Sequence, residues 1–439
     1  MSRPAVVALA FFVGGCGFLP DWLGAREGPP LPGTRISALT TKSAIQPDPS
    51  ISDVAVRLPP PVPIPEWPQS GGYANHAMHH IEVPGRLDPV WRANIGKGRS
   101  VDRRMLVTPV VAQGMVFTFD ATGSVTAFDA VSGAFIWGYG MVPEAESSDA
   151  FGGGIAYGGG RLYVATGVGE VIALDAAQGG EYWRVSVGSP IHAPPTLSDG
   201  RLFVVTFDNQ LFALDAGDGR ELWSHRGFEE QSRLLGAASP AATSSLVIAA
   251  YSSGELVALR PDNGRVAWRD ELAFGARLGA LASLGDIQGN PVIDRDRVYA
   301  ISHAGRLVAI NLRTGDRLWD QEIGGVQTPW IAGDFLFVLG TDGDLLCLSR
   351  RDGRIRWVRV LPRYKNPEDR EDPIFWSGPI LVSNRLIVVG SHGVVYSVSP
   401  YSGRVLGQIA LPGNIELPPV VAGDTVYVVT NDGELIALR

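Results

Sequence analysis

A frame of three residues recurs along this chain: a small residue, a glycine six positions on, and a tryptophan four positions beyond that. Ala213, Gly219 and Trp223 set it inside the stretch "ALDAGDGRELW". Ala127, Gly133 and Trp137 repeat it, as do Ala173, Gly179 and Trp183. So do Ala258, Gly264 and Trp268, and then Ala309, Gly315 and Trp319. Cys347 takes the small position ahead of Gly353 and Trp357. Ser397 and Gly403 keep two members, but Gly407 stands where the tryptophan is due. Ala437 opens a further frame just before the C-terminal Arg439. Self-similarity at ~40–50 residues points to one supersecondary unit per repeat, stacked on its neighbours.

Each frame begins on an alternating apolar run, eight in all: "VTAFD", "VIALD", "LFALD", "LVALR", "LVAIN", "LLCLS", "VVYSVS" and "LIALR". Alternation bounded by Gly, Asp and Asn reads as hairpins, and few stretches carry the spacing of an amphipathic helix. The class is all-β. The glycine suits the positive φ of a tight turn between a third and a fourth strand. The small residue leaves room for a large neighbour, and the tryptophan is expected to fill it while its indole N–H finds a carbonyl. Upstream, "DPVWRANIG" places Trp91 in the context that follows the turn elsewhere. The last strands of the chain are therefore expected to complete a blade with the strand of Trp91. That predicts an eight-bladed β-propeller of four-stranded antiparallel blades over residues 89–439, closed by pairing N-terminal and C-terminal strands.

Residues 1–15 open with an arginine and an apolar run too short to span a bilayer, the pattern of a signal peptide. Val13-Gly14-Gly15-Cys16 resembles the lipobox of bacterial lipoproteins, which implies lipidation at Cys16. Gly17 rather than Asp follows, which in such lipoproteins implies sorting to the outer membrane. Several acyl chains on one residue anchor a protein stably. Residues 16–88 then read as a Pro-rich tether, with "RLPPPVPIPEWP" at its centre. His76, His79 and His80 cluster in it, but a metal site needs fixed geometry and a fourth ligand, so a linker or cap is the plainer reading.

The small-Gly-Trp spacing resembles the docking motif of the pyrroloquinoline quinone (PQQ) repeat propellers. Two functions use that architecture: quinoprotein dehydrogenases, with PQQ and calcium on the central axis, and the cofactor-free BamB lipoproteins of the outer-membrane β-barrel assembly machinery. The dehydrogenases carry a vicinal cysteine pair, whereas the cysteines here are Cys16 and Cys347 alone. Cys347 reads as a packing residue, not a nucleophile. The lipobox, the tether and the eight blades are together similar to the BamB lipoproteins. This implies a non-enzymatic periplasmic scaffold, without metal or cofactor, that binds the POTRA domains of BamA and assists β-barrel insertion. Unfolded outer-membrane proteins would be a further partner, through exposed sheet edges. A PQQ-dependent dehydrogenase remains the alternative.

Function in a propeller sits where the repeat breaks. Two adjacent connections do so: "SHRGFEEQSRLLGAASP" (Ser224 to Pro240) and "RDELAFGARLGALASLGDIQGNP" (Arg269 to Pro291). The resemblance implies a leucine/arginine cluster in the first and an Asp-x-Asp segment in the second as contacts for BamA. Leu234 falls on a contact leucine and Asp286 on the first acid. Gln288 replaces the second acid, and Leu235 stands where an arginine is expected, with Arg233 just before. The same leucines could simply cap the ring. A net charge of −8 excludes a nucleic-acid footprint, which needs a clustered basic face. "GGGIAYGGG" (residues 152–160) lacks the Lys-Ser/Thr of a phosphate loop and reads as a hairpin turn. "LPRYKNPEDREDPIFW" (Leu361 to Trp376) reads as a solvated loop held down by Trp376.

Overall fold

The alternating runs pair as their period-two apolar pattern demands. The structure, a computed structural model, describes residues 45–100, 107–140, 152–228, 236–272 and 286–439. Its packing divides into Met1–Ile45 and Gln46–Arg439, and the second unit is described below. Among the described residues there are eight four-stranded antiparallel sheets and one small hairpin. Numbered in chain order, blade 1 spans residues 110–139, blade 2 153–186, blade 3 196–226 and blade 4 241–271. Blade 5 spans 292–321, blade 6 330–360 and blade 7 376–410. Blade 8 joins 420–438 to Pro89–Asn94, so both ends of the propeller sequence share one sheet. Trp91 pairs with Ala437 there, as the frame requires.

Blade 3 illustrates the unit. Thr196–Ser198 is its first strand, followed by Arg201–Val205, Gln210–Asp215 and Glu221–Arg226. The middle strands are buried and the fourth alternates toward solvent, the pattern of a sheet seen edge-on from the rim. Ala213 lies between Phe203 on one side and Trp223 on the other, and the pairing shifts by one residue immediately after it. Because Ala213 stops at Cβ, the two rings meet across it with centroids 5.9 Å apart. Phe337, Cys347 and Trp357 repeat the arrangement in blade 6.

The tryptophan does not dock on the glycine of its own turn. A Cβ on Gly264 of blade 4 would lie 2.6 Å from the ring of Trp223 in blade 3, and each successive pair from Trp91–Gly133 to Trp357–Gly403 is as tight, with the tryptophan 2.5–2.7 Å away. Five of the indoles also donate into the following turn, Trp223 to the Pro261 carbonyl at 2.9 Å and Trp357 to that of Pro400 at 2.9 Å among them. Trp91 and Trp183 do not. Their expected acceptors, the carbonyls of Ala130 and Ala216, instead take the hydroxyls of Tyr427 and Tyr163. The turn itself is tied by its opening residue: Asp215 accepts from the Gly217 N–H at 2.7 Å and its carbonyl from the Gly219 N–H at 2.8 Å.

Residues 46–88 depart from the expected tether. Over 59–83 the chain circles the axis, bonding to blade after blade. Ile64 O accepts from Gly423 N in blade 8, and Trp67 exchanges both backbone bonds with Val111 in blade 1. Pro68 O accepts from Tyr157 N in blade 2, and Gln69 Oε1 from Leu197 N in blade 3. Ala74 and Asn75 accept from Ala242 and Ile293 in blades 4 and 5. The His79 carbonyl takes the Trp330 indole of blade 6, and Ile81 pairs with Val382 of blade 7 and with Val62 of the incoming pass. Trp67, Met78, Ile81 and Val83 are buried in one core with residues of blades 1, 6, 7 and 8. Proline removes donors but leaves carbonyls, so a Pro-rich segment can still accept from a ring of first strands. The segment is a strap and not a tether.

Candidate functional site

A propeller has two faces, and here they differ in kind. The strap and the turns joining first to second and third to fourth strands occupy one, and the turns joining second to third strands lie on the other. The connections from each fourth strand to the next blade occupy that other face too, and the two irregular connections lie there, after blades 3 and 4. Arg233, Leu234 and Leu235 fall outside the described residues, as does Cys16. Gly236, Ala237, Asp286 and Ile287 are described. They line one small cleft together with His192, Phe207, Asn209 and Ser252, so the two connections converge at their blade-side ends.

Hydrogen bonds join those ends. The Asn290 side chain accepts from Ser239 N at 2.8 Å and donates to Ser70 Oγ at 3.1 Å, linking both connections to the strap. Asn209 accepts from Ser252 and donates to the Phe228 carbonyl at 2.6 Å, while Glu255 accepts from the Phe228 N–H at 2.6 Å. The backbone at Phe228 is thereby pinned from two blades, yet its ring is 66% exposed. Phe207, 44% exposed, lies against His192 with ring centroids 5.0 Å apart. Sequence reasoning passed over both aromatics, because they sit in ordinary repeat positions. The only signal was at Phe207, which stands where blades 4 to 8 place Ser252, His303, Thr341, Ser391 and Asn431.

Asp286 is 2% exposed and its carbonyl accepts from His303 N at 3.0 Å. The acid is therefore beneath the surface, where it holds the connection, and half-buried Gln288 stands closer to solvent. Ala213, Gly219 and Trp223 fall in the blade packing already described and not on this face. The histidines do not converge either. His76 Nδ1 donates to the Pro291 carbonyl at 2.7 Å, and burial holds its pKa down to about 4. His80 accepts from Asn384 N at Nε2 and so donates from Nδ1 to the Pro59 carbonyl. His79 Nε2 faces Asp294, 3.5 Å away. Burial pushes the Cys347 thiol well above its ordinary value, in keeping with a packing role. Trp376 is buried and donates to the Pro362 carbonyl at 2.8 Å, closing the base of the hairpin formed by Tyr364–Asn366 and Glu371–Pro373.

The family model described as "Outer membrane protein assembly factor BamB" matches residues 121–359 and 366–439. The chain belongs to the BamB family. Its similarity to the BamB of Xanthomonas campestris pv. campestris is 30% identity over 368 residues, covering 82% of this chain and 87% of that one. For the BamB of Salmonella typhimurium it is 29% over 364 residues, covering 81% and 90%. The solved structure of BamB from Moraxella catarrhalis matches with a TM-score of 0.68 at 21% identity, over 80% of this chain and 99% of that one. A europium-containing methanol dehydrogenase matches at the same TM-score with 14% identity, over 85% and 98%, a likeness of fold. This BamB-family chain has no vicinal cysteine pair, and among the described residues no three His, Cys, Asp or Glu side chains group to hold a metal ion.

Proposed function

We propose that this BamB-family chain is a non-enzymatic scaffold of outer-membrane β-barrel assembly. It is anchored to the outer membrane by acylation at Cys16, faces the periplasm, and binds the POTRA domains of BamA through the connection face of blades 3 to 5. The observation that carries the reading is the convergence of the two irregular connections around Gly236, Ala237, Asp286 and Ile287. Two breaks in the repeat meet at one place, with exposed Phe207 and Phe228 beside them. Aromatic anchors next to arginine are a common composition for the centre of an interface. Arg233 supplies the arginine and Phe207 and Phe228 the aromatics, with Leu234 and Leu235 as apolar contacts, Gln288 a polar contact at the edge, and buried Asp286 the support beneath.

The test is co-purification of BamA from solubilised outer membranes. Arg233→Glu and Leu234→Glu should each reduce BamA capture at least tenfold while the melting temperature stays within a degree or so, because the substitutions lie in a connection and not in a blade. Undiminished capture by both variants would place the interface elsewhere.

A further inference from the structure

The face opposite the connections is divided by charge. The turns of blades 1 to 3 carry Asp129, Asp175, Asp199, Asp215 and Asp218. The turns of blades 4 to 6 are richer in arginine, although Asp262, Asp296, Asp316, Asp334 and Asp352 sit among them and Arg161, Arg201 and Arg220 lie at the turns of blades 2 and 3, in a chain whose net charge is −8. Two clefts open among them. One, of about 740 Å³, lies at the blade 3–4 rim and is lined by Arg201, Arg260 and Arg265, with Asp262 the acid among them. The other, of about 690 Å³, is walled by Ile51, Val54 and Arg57 of the strap and by the turns of blades 5 and 6.

Some of the charges in the second cleft are already engaged. Arg350 is buried against Asp294 at 2.5 Å and Tyr299 at 3.0 Å, and Arg297 donates to the Arg350 carbonyl. Asp352 faces Arg354 at 3.5 Å, and Asp296 faces Arg297 at 3.9 Å. Asp334, and Asp53 beside Val54 on the strap, remain as exposed acids. Arg57, Arg295 and Arg351 here, and Arg265 at the first cleft, are exposed, and their side chains have no hydrogen bond or ion pair. Four guanidiniums thus point outward from one half of one face. Val54, 47% exposed, stands at the same level.

We propose that this half-face docks against an anionic bilayer surface, its free arginines pairing with lipid phosphodiesters. Guanidinium presents a planar fork that matches phosphate oxygens, and exposed arginines gain most where many phosphates share a plane. The strap reinforces the orientation. Its first described residues lie on this face: Asp48 N donates to the Ile355 carbonyl, and Arg356 to that of Val54. The docked half-face therefore turns the connections of blades 3 to 5 away from the lipid, toward the periplasm. This rests on the membrane-associated reading above but needs no acyl group.

The experiment uses the full chain carrying Cys16→Ala, so that no lipid can be attached, sedimented with vesicles. Vesicles of equal parts phosphatidylglycerol and phosphatidylethanolamine should capture it and phosphatidylcholine vesicles should not, the leader being the same in every arm. Capture should weaken about fivefold for each arginine removed. Arg57→Glu, Arg265→Glu, Arg295→Glu and Arg351→Glu together should lower it more than ~100-fold, and the milder pair Arg295→Gln and Arg351→Gln about 25-fold. Equal capture by both vesicle types, or undiminished capture of both variants, overturns the proposal. So does full displacement by millimolar inorganic phosphate, which would mark a site for a soluble anion. BamA co-purification of the fourfold variant should be unchanged, whereas Arg233→Glu should lose BamA and keep the vesicles. The two readings therefore fail separately.

Discussion

Trp223 rests on Gly264, the turn glycine of the following blade, and not on Gly219 of its own. The contact is a relay around the ring: every blade except blade 7 supplies a wedge to the next, and every blade except blade 8 receives one. Gly264 meets two demands at once, a φ of +68° and the absence of a Cβ that would sit 2.6 Å from the indole. Gly114 meets only the first, with a φ of +72° and nothing within 4 Å of where its Cβ would be. Gly264→Ala should therefore cost about 2–4 kcal/mol, strain plus overpacking, and Gly114→Ala about 1 kcal/mol. Melting temperatures of the two variants check this, and equal shifts would mean that the wedge contact contributes nothing.

The relay also explains a gap that the sequence displays without its reason. Gly407 replaces the tryptophan of blade 7, and a Cβ there would meet nothing within 4 Å. Its receiver would be a turn between the third and fourth strands of blade 8. Those strands, Glu434–Leu438 and Pro89–Asn94, come from opposite ends of the propeller, and where a turn would link them the backbones of Asp88 and Arg439 pair instead. With no turn glycine to press on, a wedge has no partner. Gly407→Trp should leave the melting temperature unchanged or lower it, and a rise of several degrees would show that a receiving slot exists. By contrast Trp357→Ala, which empties a site 5% exposed, should cost about 3–5 kcal/mol. Trp223→Ala should cost less, since Trp223 is only half-buried.

The ring, its eightfold count and its closure through Trp91 were legible because a packing contact repeated in every blade leaves a fixed spacing. The direction of docking was not. A frame of Ala213, Gly219 and Trp223 reads the same whether the indole presses on its own turn or on its neighbour's. The strap was illegible for a different reason: many of its bonds to successive blades join backbone groups alone, and such bonds select no side chain. The apolar residues Trp67, Ile81 and Val83 were its only trace. At the connection face, sequence located the two breaks in the repeat but not the burial of Asp286 or the exposure of Phe228.

A strap and a tether predict opposite hydrogen exchange. Backbone N–H groups of Val62, Trp67 and Ile81 are bonded within the ring or between the two passes of the strap. Peptides spanning residues 59–83 should therefore exchange slowly, at rates near those of the innermost strands. Exchange complete within seconds would return the segment to a tether. Trp67→Ala, removing a ring that is 3% exposed and stacked on Trp330 at 6.4 Å, should speed exchange across that whole stretch.

His76 gives the strap a dependence on acid. Its ring is buried, Nδ1 donates to Pro291, and Nε2 has no hydrogen-bond partner. Burial, opposed weakly by that one bond, holds its pKa down from 6.5 to about 4. The folded state keeps the ring neutral while the unfolded chain binds a proton below about 6.5, so acid favours unfolding. The contribution is fully present above that pH and is lost as pH falls toward 4, by about 3 kcal/mol in all. His76→Gln should be less stable than the wild type at pH 7, having lost the fit. The difference between the two should then narrow steadily as the pH is lowered to 4. Denaturation at stepped pH measures it, and a difference constant across that window would mean that His76 is protonated, or solvated, in the folded ring.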